Sequence, residues 1–170
     1  MSLNLQNFNK LPSLIVFDLD YTLWPYWVDT HVDFPVSKKY DGKVYDRRGH
    51  NIKLYPEVLE VLELLSSSGM NLGIASRTGE ISGANDLLRL FDIKKYFKYR
   101  EIYPGNKTSH FSRFQSLSNI KYEDMLFFDD EMRNIHDISR LGVTCILVEN
   151  GTSMSVLKEG LTNFCTNKKK

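Results

Sequence analysis

Several polar residues of this 170-residue sequence come at, or within a few residues of, the ends of runs of strand length. In chain order they are Asp18, Asp20 and Thr22, then Ser76 and Arg77, then Lys107, and finally Asp129 and Asp130. Carboxylates are oxygen ligands for hard cations, and hydroxyl, guanidinium and ammonium groups donate hydrogen bonds to phosphate oxygens. Together, these residue types are typical of a metal-assisted phosphoryl-transfer site.

The carboxylates of this set predict a bound magnesium ion. Carboxylates gathered at one place repel one another and raise each other's pKa values unless a cation neutralises them. The set contains neither cysteine nor histidine, and ligands that are all oxygen favour Mg²⁺ over zinc or copper. A calcium-binding loop beginning at Asp18 is rejected, because Leu23 occupies its sixth position, where such a loop needs glycine.

The two acids of the first group suggest a division of roles. In-line attack by Asp18 on phosphorus would form an aspartyl-phosphate and split one difficult hydrolysis into two easier steps. Asp20 is then the group to protonate the leaving oxygen and afterwards to deprotonate the attacking water. The donors for the outer phosphate oxygens are Ser76, Arg77 and Lys107.

Each group taken alone also has a structural interpretation. Paired acids after a strand form turns or cap helices, as Asp129 and Asp130 would at the start of a following helix. A single Ser76 suits a helix cap, and a single Lys107 suits a solvated surface. The functional interpretation therefore depends on the joint placement of all four groups after successive strands.

The apolar pattern predicts a three-layer, Rossmann-like α/β fold with a mostly parallel sheet and helices on both faces. Continuous apolar runs indicate buried strands at Leu14 to Phe17, Leu72 to Ala75, Met125 to Phe128 and Thr144 to Val148, with a weaker one near Arg100 to Tyr103. Helical spacing lies between them at Val58 to Leu65, Glu80 to Leu90, Phe111 to Leu117 and Met132 to Leu141. Because ligands bind at the carboxyl ends of parallel strands, the polar groups should meet at one sheet edge.

We expect a single domain over residues 1–170, in which residues 24–54 form a flap and hairpin near the site. This segment lacks a helical period and contains the turn pair Asp41-Gly42. Trp24 and Trp27 have two possible roles there. They line the entrance to the site, or they anchor the loop to the core.

The charge balance limits the classes of partner. The 22 basic and 21 acidic residues nearly cancel, so no broad basic field predicts binding to nucleic acid or to a membrane surface. No apolar stretch approaches the roughly 20 residues that span a bilayer, and a cytoplasmic protein is expected. The terminal lysines, Lys168 to Lys170, are interpreted as a solvated end without a function. No sequence feature indicates an oligomeric state.

The segments "DLDYT", "ASR", "GNK" and "FFDDE", in this order, resemble the four motifs of the haloacid dehalogenase superfamily. Longer segments, such as "FDLDYTLWPYWVDTHVD" and "REIYPGNKTSHF", resemble its magnesium-dependent phosphatase group. The resemblance extends over about Leu11 to Gly160. It implies a superfamily-type fold with a minimal flap in place of a cap domain, Mg²⁺ as cofactor, and a phosphorylated substrate, either protein phosphotyrosine or a sugar phosphate.

The resemblance also implies roles for individual residues. Asp18 is the expected nucleophile and a metal ligand, and Asp20 is the expected general acid and base, with a backbone carbonyl that reaches the metal. Thr22 would steady the loop that carries both acids. In the second acidic pair, Asp130 is the more direct metal ligand, and Asp129 binds directly or lies behind it. Substrate phosphate would be held by Ser76, Arg77 and Lys107.

A non-catalytic phospho-receiver or phosphate-binding module is the alternative function. Such a module also gathers aspartates, a hydroxyl residue and a lysine at a sheet edge. The order of motifs and the presence of Asp20, an acid available for hydrolysis, favour the enzyme.

Overall fold

The computed structural model describes residues 3–167, and the terminal lysines interpreted above as a solvated end lie outside this range. In chain order the strands are β1 (Leu14–Phe17), β2 (Ser37–Lys38), β3 (Val44–Tyr45), β4 (Asn51–Ile52), β5 (Leu72–Ser76), β6 (Tyr99–Ile102), β7 (Met125–Asp129) and β8 (Thr144–Leu147). The helices are α1 (Val28–His31), α2 (Val58–Ser67), α3 (Ile81–Leu90), α4 (Lys107–Ser118), α5 (Met132–Ser139) and α6 (Met154–Thr166).

Five of the strands form a parallel sheet in the order β6-β5-β1-β7-β8. The central strand β1 pairs with β5 on one side and with β7 on the other, and Phe17 lies in register with both Ile74 and Phe128. All residues of β1, β5 and β7 are buried, as their continuous apolar runs predict. The expected parallel sheet is confirmed.

The helices cover both faces of this sheet. Side chains of β1 alternate between two apolar clusters, with Ile15 and Phe17 in one and Leu14 and Val16 in the other. The first cluster includes buried residues of α2, α3 and α6, and the second includes those of α4 and α5. The three-layer arrangement predicted from the alternation of strands and helices is therefore present.

Residues 24–54 contain more regular structure than the sequence suggested. The predicted hairpin is present as antiparallel strands β3 and β4, and β2 adds a third strand to the same small sheet. The short helix α1 was not expected, because one turn is too short to show a helical period. Phe34 packs against Gly83 of α3, where a Cβ atom would come within 2.4 Å of the Phe34 ring. This contact attaches the segment to the main domain.

The exact faces of helices α4 and α5 differ from those predicted, and in α5 Met132 is exposed whereas Asn134 is buried. In α4 the buried residues are Lys107, His110, Phe111 and Phe114, and Leu117 is exposed. The buried face of the helix thus begins with a charged residue that an apolar pattern does not show.

No helix within residues 3–167 is long and apolar enough to cross a bilayer.

Candidate active site

Three carboxylates converge at the carboxyl ends of the central strands. Asp18 follows β1 directly, and its backbone N–H donates to the Phe128 carbonyl of β7 at 3.0 Å. Asp129 ends β7, and Asp130 is the next residue. One side-chain oxygen each from Asp18, Asp129 and Asp130 lies within 4.8 Å of the others, which is the spacing of a group able to hold a metal ion.

Lys107 is the cation that faces this cluster. It is the first residue of α4, its side chain is only 1% exposed, and its Nζ lies 2.8 Å from Asp18 Oδ1 and 2.6 Å from Asp129 Oδ2. Burial opposes its charge, but the two carboxylates prevail and raise the pKa of Lys107. Lys107 is therefore a charged, buried partner of both acids and not a solvated surface side chain.

One lysine does not neutralise three acids. Burial raises the pKa of Asp18 to about 7, in spite of the attraction of Lys107. Burial also raises the pKa values of Asp129 and Asp130 to about 6. The three acids therefore favour their neutral forms more than isolated carboxyl groups do. A divalent cation bound by these oxygens would supply positive charge that the cluster lacks, so the residues fit a hard metal ion.

The two acids of the second pair differ in their hydrogen bonds: Asp129 is held by protein donors, whereas Asp130 faces the cavity. Both oxygens of Asp129 accept hydrogen bonds, Oδ1 from the backbone N–H of Glu131 at 2.8 Å and Oδ2 from Lys107 and from Asn134 Nδ2 at 3.1 Å. Asp130 is partly exposed and lines the cavity described below. Its oxygens are thus more available to a metal ion than those of Asp129.

Asp20 lies beside this cluster but has different partners. Its Oδ1 accepts from the indole Nε1 of Trp24 at 2.8 Å and from the backbone N–H of Val28 at 3.4 Å. Burial raises the pKa of Asp20 to about 7, although the Trp24 hydrogen bond favours the ionised form. The Asp20 side chain is not one of the three carboxylates that could share a metal ion.

The phosphate-donor candidates lie on the neighbouring strand and next to it. Ser76 ends β5, is 2% exposed, and its Oγ accepts from the backbone N–H of Thr78 at 3.3 Å. Arg77 is half-buried and donates to Asn134 Oδ1 at 3.4 Å. Thr22 is fully buried, and its hydroxyl donates to Asp18 Oδ2 at 3.2 Å. Thr22 therefore holds the carboxylate from behind.

An open cavity of about 290 Å³ connects these groups to solvent. Six of the residues selected from the sequence line it, namely Asp18, Asp20, Ser76, Arg77, Lys107 and Asp130. Thr22 and Asp129 lie behind its wall and bond to residues that line it. The polar groups that the sequence placed after successive strands thus meet at one edge of the sheet.

The cavity wall also contains residues to which sequence reasoning assigned no role in the site: Asp29, Thr30, Thr78, Glu131, Arg133 and Asn134. Asn134 is the most informative, because it is 3% exposed and bridges Asp129 to Arg77. A signal for it existed, since Asn134 lies four residues before Ile138, at the spacing of one helix face. A polar residue on a buried face suggests a specific hydrogen-bond partner.

The two tryptophans near the nucleophile have different positions, so neither of the two proposed roles applies to both. Trp24 is fully buried and packs against Phe91, with ring centroids 6.3 Å apart. Trp27 is 48% exposed, lines the cavity, and stacks on His31 with ring centroids 5.3 Å apart. Trp24 anchors the loop, whereas Trp27 stands at the entrance.

Comparison with known proteins places this chain among phosphatases. A profile of the acid phosphatase family matches residues 10–167. Magnesium-dependent phosphatase 1 of Homo sapiens is 59% identical over 155 residues, which cover 91% of this chain and 88% of that protein. A HAD-like hydrolase superfamily protein of Schizosaccharomyces pombe is 37% identical and covers 87% of this chain and 92% of its own length.

A solved structure agrees at the level of the fold. A haloacid dehalogenase superfamily hydrolase from Ehrlichia chaffeensis superposes with a TM-score of 0.62 at 13% identity, covering 91% of this chain and 98% of that one. The family profile spans nearly all of the described chain, and the human relative is far above the identity at which family membership is in question. The chain therefore belongs to the acid phosphatase family and, within the haloacid dehalogenase superfamily, to the magnesium-dependent phosphatases.

Proposed function

We propose that the protein hydrolyses phosphomonoesters through an aspartyl-phosphate formed on Asp18. The observation that carries this proposal is the convergence of three carboxylates within 4.8 Å, two of which, Asp18 and Asp129, contact the buried ammonium group of Lys107. A nucleophilic carboxylate, a cation site and a fixed lysine are the parts that phosphoryl transfer requires. The open cavity in front of them gives a phosphate group access.

Mg²⁺ is the proposed cofactor, held by the Asp18 and Asp130 carboxylates and by the backbone carbonyl of Asp20. Both oxygens of Asp129 already accept hydrogen bonds from the protein, and through these bonds Asp129 positions Lys107 and Asn134. When bound, the ion would neutralise negative charge on the phosphate and on the carboxylates and would thereby favour the ionised form of Asp18.

The first chemical step is an in-line attack by a carboxylate oxygen of Asp18 on phosphorus. The bond between phosphorus and the ester oxygen breaks, and Asp20 donates its proton to that oxygen as it leaves. A pKa of about 7 lets Asp20 carry this proton at neutral pH. The outer phosphate oxygens accept hydrogen bonds from Ser76, Arg77 and Lys107.

The second step regenerates the enzyme. The Asp20 carboxylate removes a proton from a water molecule, whose oxygen attacks phosphorus and breaks its bond to Asp18. Inorganic phosphate leaves, and Asp20 holds a proton again. Because the cavity is open to solvent, water is the available acceptor.

The proposed substrate is a phosphotyrosine on a protein or a phosphorylated sugar. The half-exposed indole of Trp27 at the cavity entrance supports both, since it offers a flat face to a phenyl ring or to one side of a sugar. The entrance is also bordered by polar side chains, among them Asp29 and Thr30. A comparison of kcat/KM for phosphotyrosine peptides and for sugar phosphates distinguishes the two classes.

Substitution of the two acids tests the chemistry. We expect Asp18→Asn to abolish turnover of p-nitrophenyl phosphate, because no nucleophile remains. Asp20→Asn should permit the first step with this activated ester but block the second, so that a phospho-enzyme accumulates and can be detected by intact-protein mass spectrometry. Full activity in either variant would contradict the mechanism.

The same measurement separates the enzyme from a phospho-receiver. In the unsubstituted protein, a phospho-aspartate that persists for minutes after treatment with a phosphate donor would favour the receiver. Rapid turnover that stops with EDTA and returns with Mg²⁺ would favour the hydrolase.

A further inference from the structure

The indole of Trp24 contacts the proposed acid–base group and is shielded from the substrate cavity. Trp24 is fully buried, does not line the cavity, and donates from Nε1 to Asp20 Oδ1 at 2.8 Å. The backbone N–H of Val28 donates to the same oxygen at 3.4 Å. Within residues 3–167, Asp20 Oδ2 has no hydrogen-bond partner, and Asp20 lines the cavity.

We propose that Trp24 is a positioning residue that orients Asp20 by holding Oδ1, so that Oδ2 faces the substrate and transfers the proton. This inference rests on the proposed function. A carboxyl group has two equivalent oxygens and rotates easily, so a fixed donor on one of them selects which oxygen the substrate meets. Placing an acid correctly before the reaction is worth a large part of its contribution to the rate.

The loop that carries Trp24 is built to keep this contact. Tyr21 has a positive φ of 57°, and its backbone N–H donates to the Trp24 carbonyl at 2.7 Å, so the chain turns back on itself between Asp20 and Trp24. Packing against Phe91 holds the ring from the other side. The indole is therefore fixed by the backbone turn and by the core, independently of its bond to Asp20.

The second donor links Asp20 to the cavity wall. Val28 is the first residue of α1, and Asp29 and Thr30 of that helix line the entrance together with Trp27. Asp20 is thus held by Trp24, which lies in the core, and by the first residue of α1, a helix whose residues Asp29 and Thr30 line the cavity. The orientation of the acid and the position of this wall are parts of one hydrogen-bonded unit.

Trp24→Phe tests the proposal, because it removes the N–H donor and keeps an aromatic ring in the core. A mispositioned acid matters little for a good leaving group and greatly for a poor one. We expect kcat/KM, which reports the step that expels the leaving group, to fall by less than about 3-fold with p-nitrophenyl phosphate and by about 10- to 100-fold with an alkyl phosphate. The second step is the same for both esters, so a loss there lowers kcat for both and does not affect this comparison.

Two controls separate positioning from packing. Phe91→Leu disturbs the packing around the indole but keeps its N–H, so it should lower the melting temperature without any leaving-group-dependent loss of kcat/KM. In an Asp20→Asn background, Trp24→Phe should not slow formation of the phospho-enzyme from p-nitrophenyl phosphate, because the group that it orients is absent. A further loss of that rate would assign Trp24 a purely structural role.

A second variant covers the case in which Trp24→Phe does not fold. Val28→Pro removes the weaker donor at a first helical position, where proline is tolerated, and Trp27 before it already has the extended conformation (φ −90°, ψ 109°) that proline requires. A smaller loss of the same leaving-group-dependent kind is expected. Equal losses for both esters in every variant would overturn the inference, whereas full activity of Asp18→Asn would instead overturn the proposed function.

Discussion

At the scale of single residues, the site depends on one buried lysine that contacts two of its three clustered acids. Lys107 contacts Asp18 and Asp129 from a position where its charge is almost fully removed from solvent. A buried charge that loses its partner costs far more than a surface ion pair contributes. Lys107 should therefore matter for stability as well as for phosphate binding.

We expect Lys107→Met to destabilise the metal-free protein by about 3–5 kcal/mol, because it leaves acids buried together without a counter-charge. Added Mg²⁺ should reduce this loss of stability relative to the unsubstituted protein, since the ion replaces part of the lost charge. Urea unfolding with and without Mg²⁺ measures both effects. Phosphatase activity should be lost under either condition.

Lys10→Met is the matched control for that substitution. Lys10 pairs with Asp124 at 2.9 Å, but both side chains are partly exposed, so the pair should contribute less than about 1 kcal/mol. The free energy of unfolding that Lys107→Met loses relative to the unsubstituted protein should become smaller with Mg²⁺. A loss that Mg²⁺ leaves unchanged would contradict a counter-charge role for Lys107.

The sequence predicted the charged residues of the site better than their contacts. Asp18, Asp129 and Lys107 could be found because each follows a recognisable strand or connection. The bond from Trp24 to Asp20 could not, since it depends on a turn with positive φ at Tyr21, a non-glycine residue. Whether Asn134 faces the site likewise depends on how α5 is rotated about its own axis. An apolar pattern does not define that rotation to within one residue.

At the scale of elements, the flap formed by β2, β3 and β4 depends on a buried carboxylate. The side chain of Asp46 is fully buried and accepts from the backbone N–H groups of Asp33, Arg48 and His50 at 2.9 to 3.2 Å. These strands have two residues each, too few to be stable from their own pairing. Asp46 therefore organises a segment that has little core of its own.

We expect Asp46→Asn to destabilise the flap, because one of its acceptor oxygens becomes an amide that cannot accept a hydrogen bond. An unsatisfied buried donor costs about 1–3 kcal/mol. Amide hydrogen exchange in residues 33–53 should accelerate more than exchange in the central sheet. Asp41→Asn, at an exposed turn of the same flap, is the control and should change exchange much less.

The same carboxylate should make the flap sensitive to acid. Burial opposes its charge, but hydrogen bonds from the backbone of His50 and Asp33 prevail and lower the pKa of Asp46 below its ordinary value of 3.8. Its stabilisation is therefore complete above about pH 3.8 and is lost as the pH falls through the lower pKa of the folded state. The Asp46→Asn flap should lose less of its exchange protection over that range.

The elements that the sequence did not reveal are short or interrupted. Helix α1 has one turn, and β2 has two residues, so neither shows a period. Helix α6 was missed although Leu157, Gly160, Leu161 and Phe164 have helical spacing, since an internal glycine is unfavourable in a helix. Gly160 is required there, because a Cβ atom would come within 2.4 Å of the Phe128 ring.

At the scale of the whole molecule, the site and the stability of the fold are linked. The carboxylates follow β1 and β7, which lie in the middle of the sheet, and their repulsion acts against the pairing of these strands. A ligand that binds only the folded state stabilises all of it. The sequence indicated parallel strands but not their order, which depends on connections whose direction no local pattern records.

We expect Mg²⁺ to raise the melting temperature of the whole protein, by a free energy of about 2.7 kcal/mol at 100 times its dissociation constant. Asp130→Asn should remove most of this shift, whereas Asp92→Asn, at an exposed position, should retain it. Differential scanning calorimetry at constant ionic strength measures the effect. An equal shift in both variants would contradict the proposed metal ligands.

The register of β1 and β7 has a consequence for how the chain tolerates insertions. Phe17 and Phe128 are partners in the ladder, so Asp18 and Asp129 stand at the same level on adjacent strands. One residue added inside either strand would turn every later side chain to the opposite face and separate the two acids. Residues added after the strands, as in the segment that carries the flap, leave this alignment intact. The alignment of the two acids therefore constrains the length of the central strands but not the length of the loops at the sheet edge.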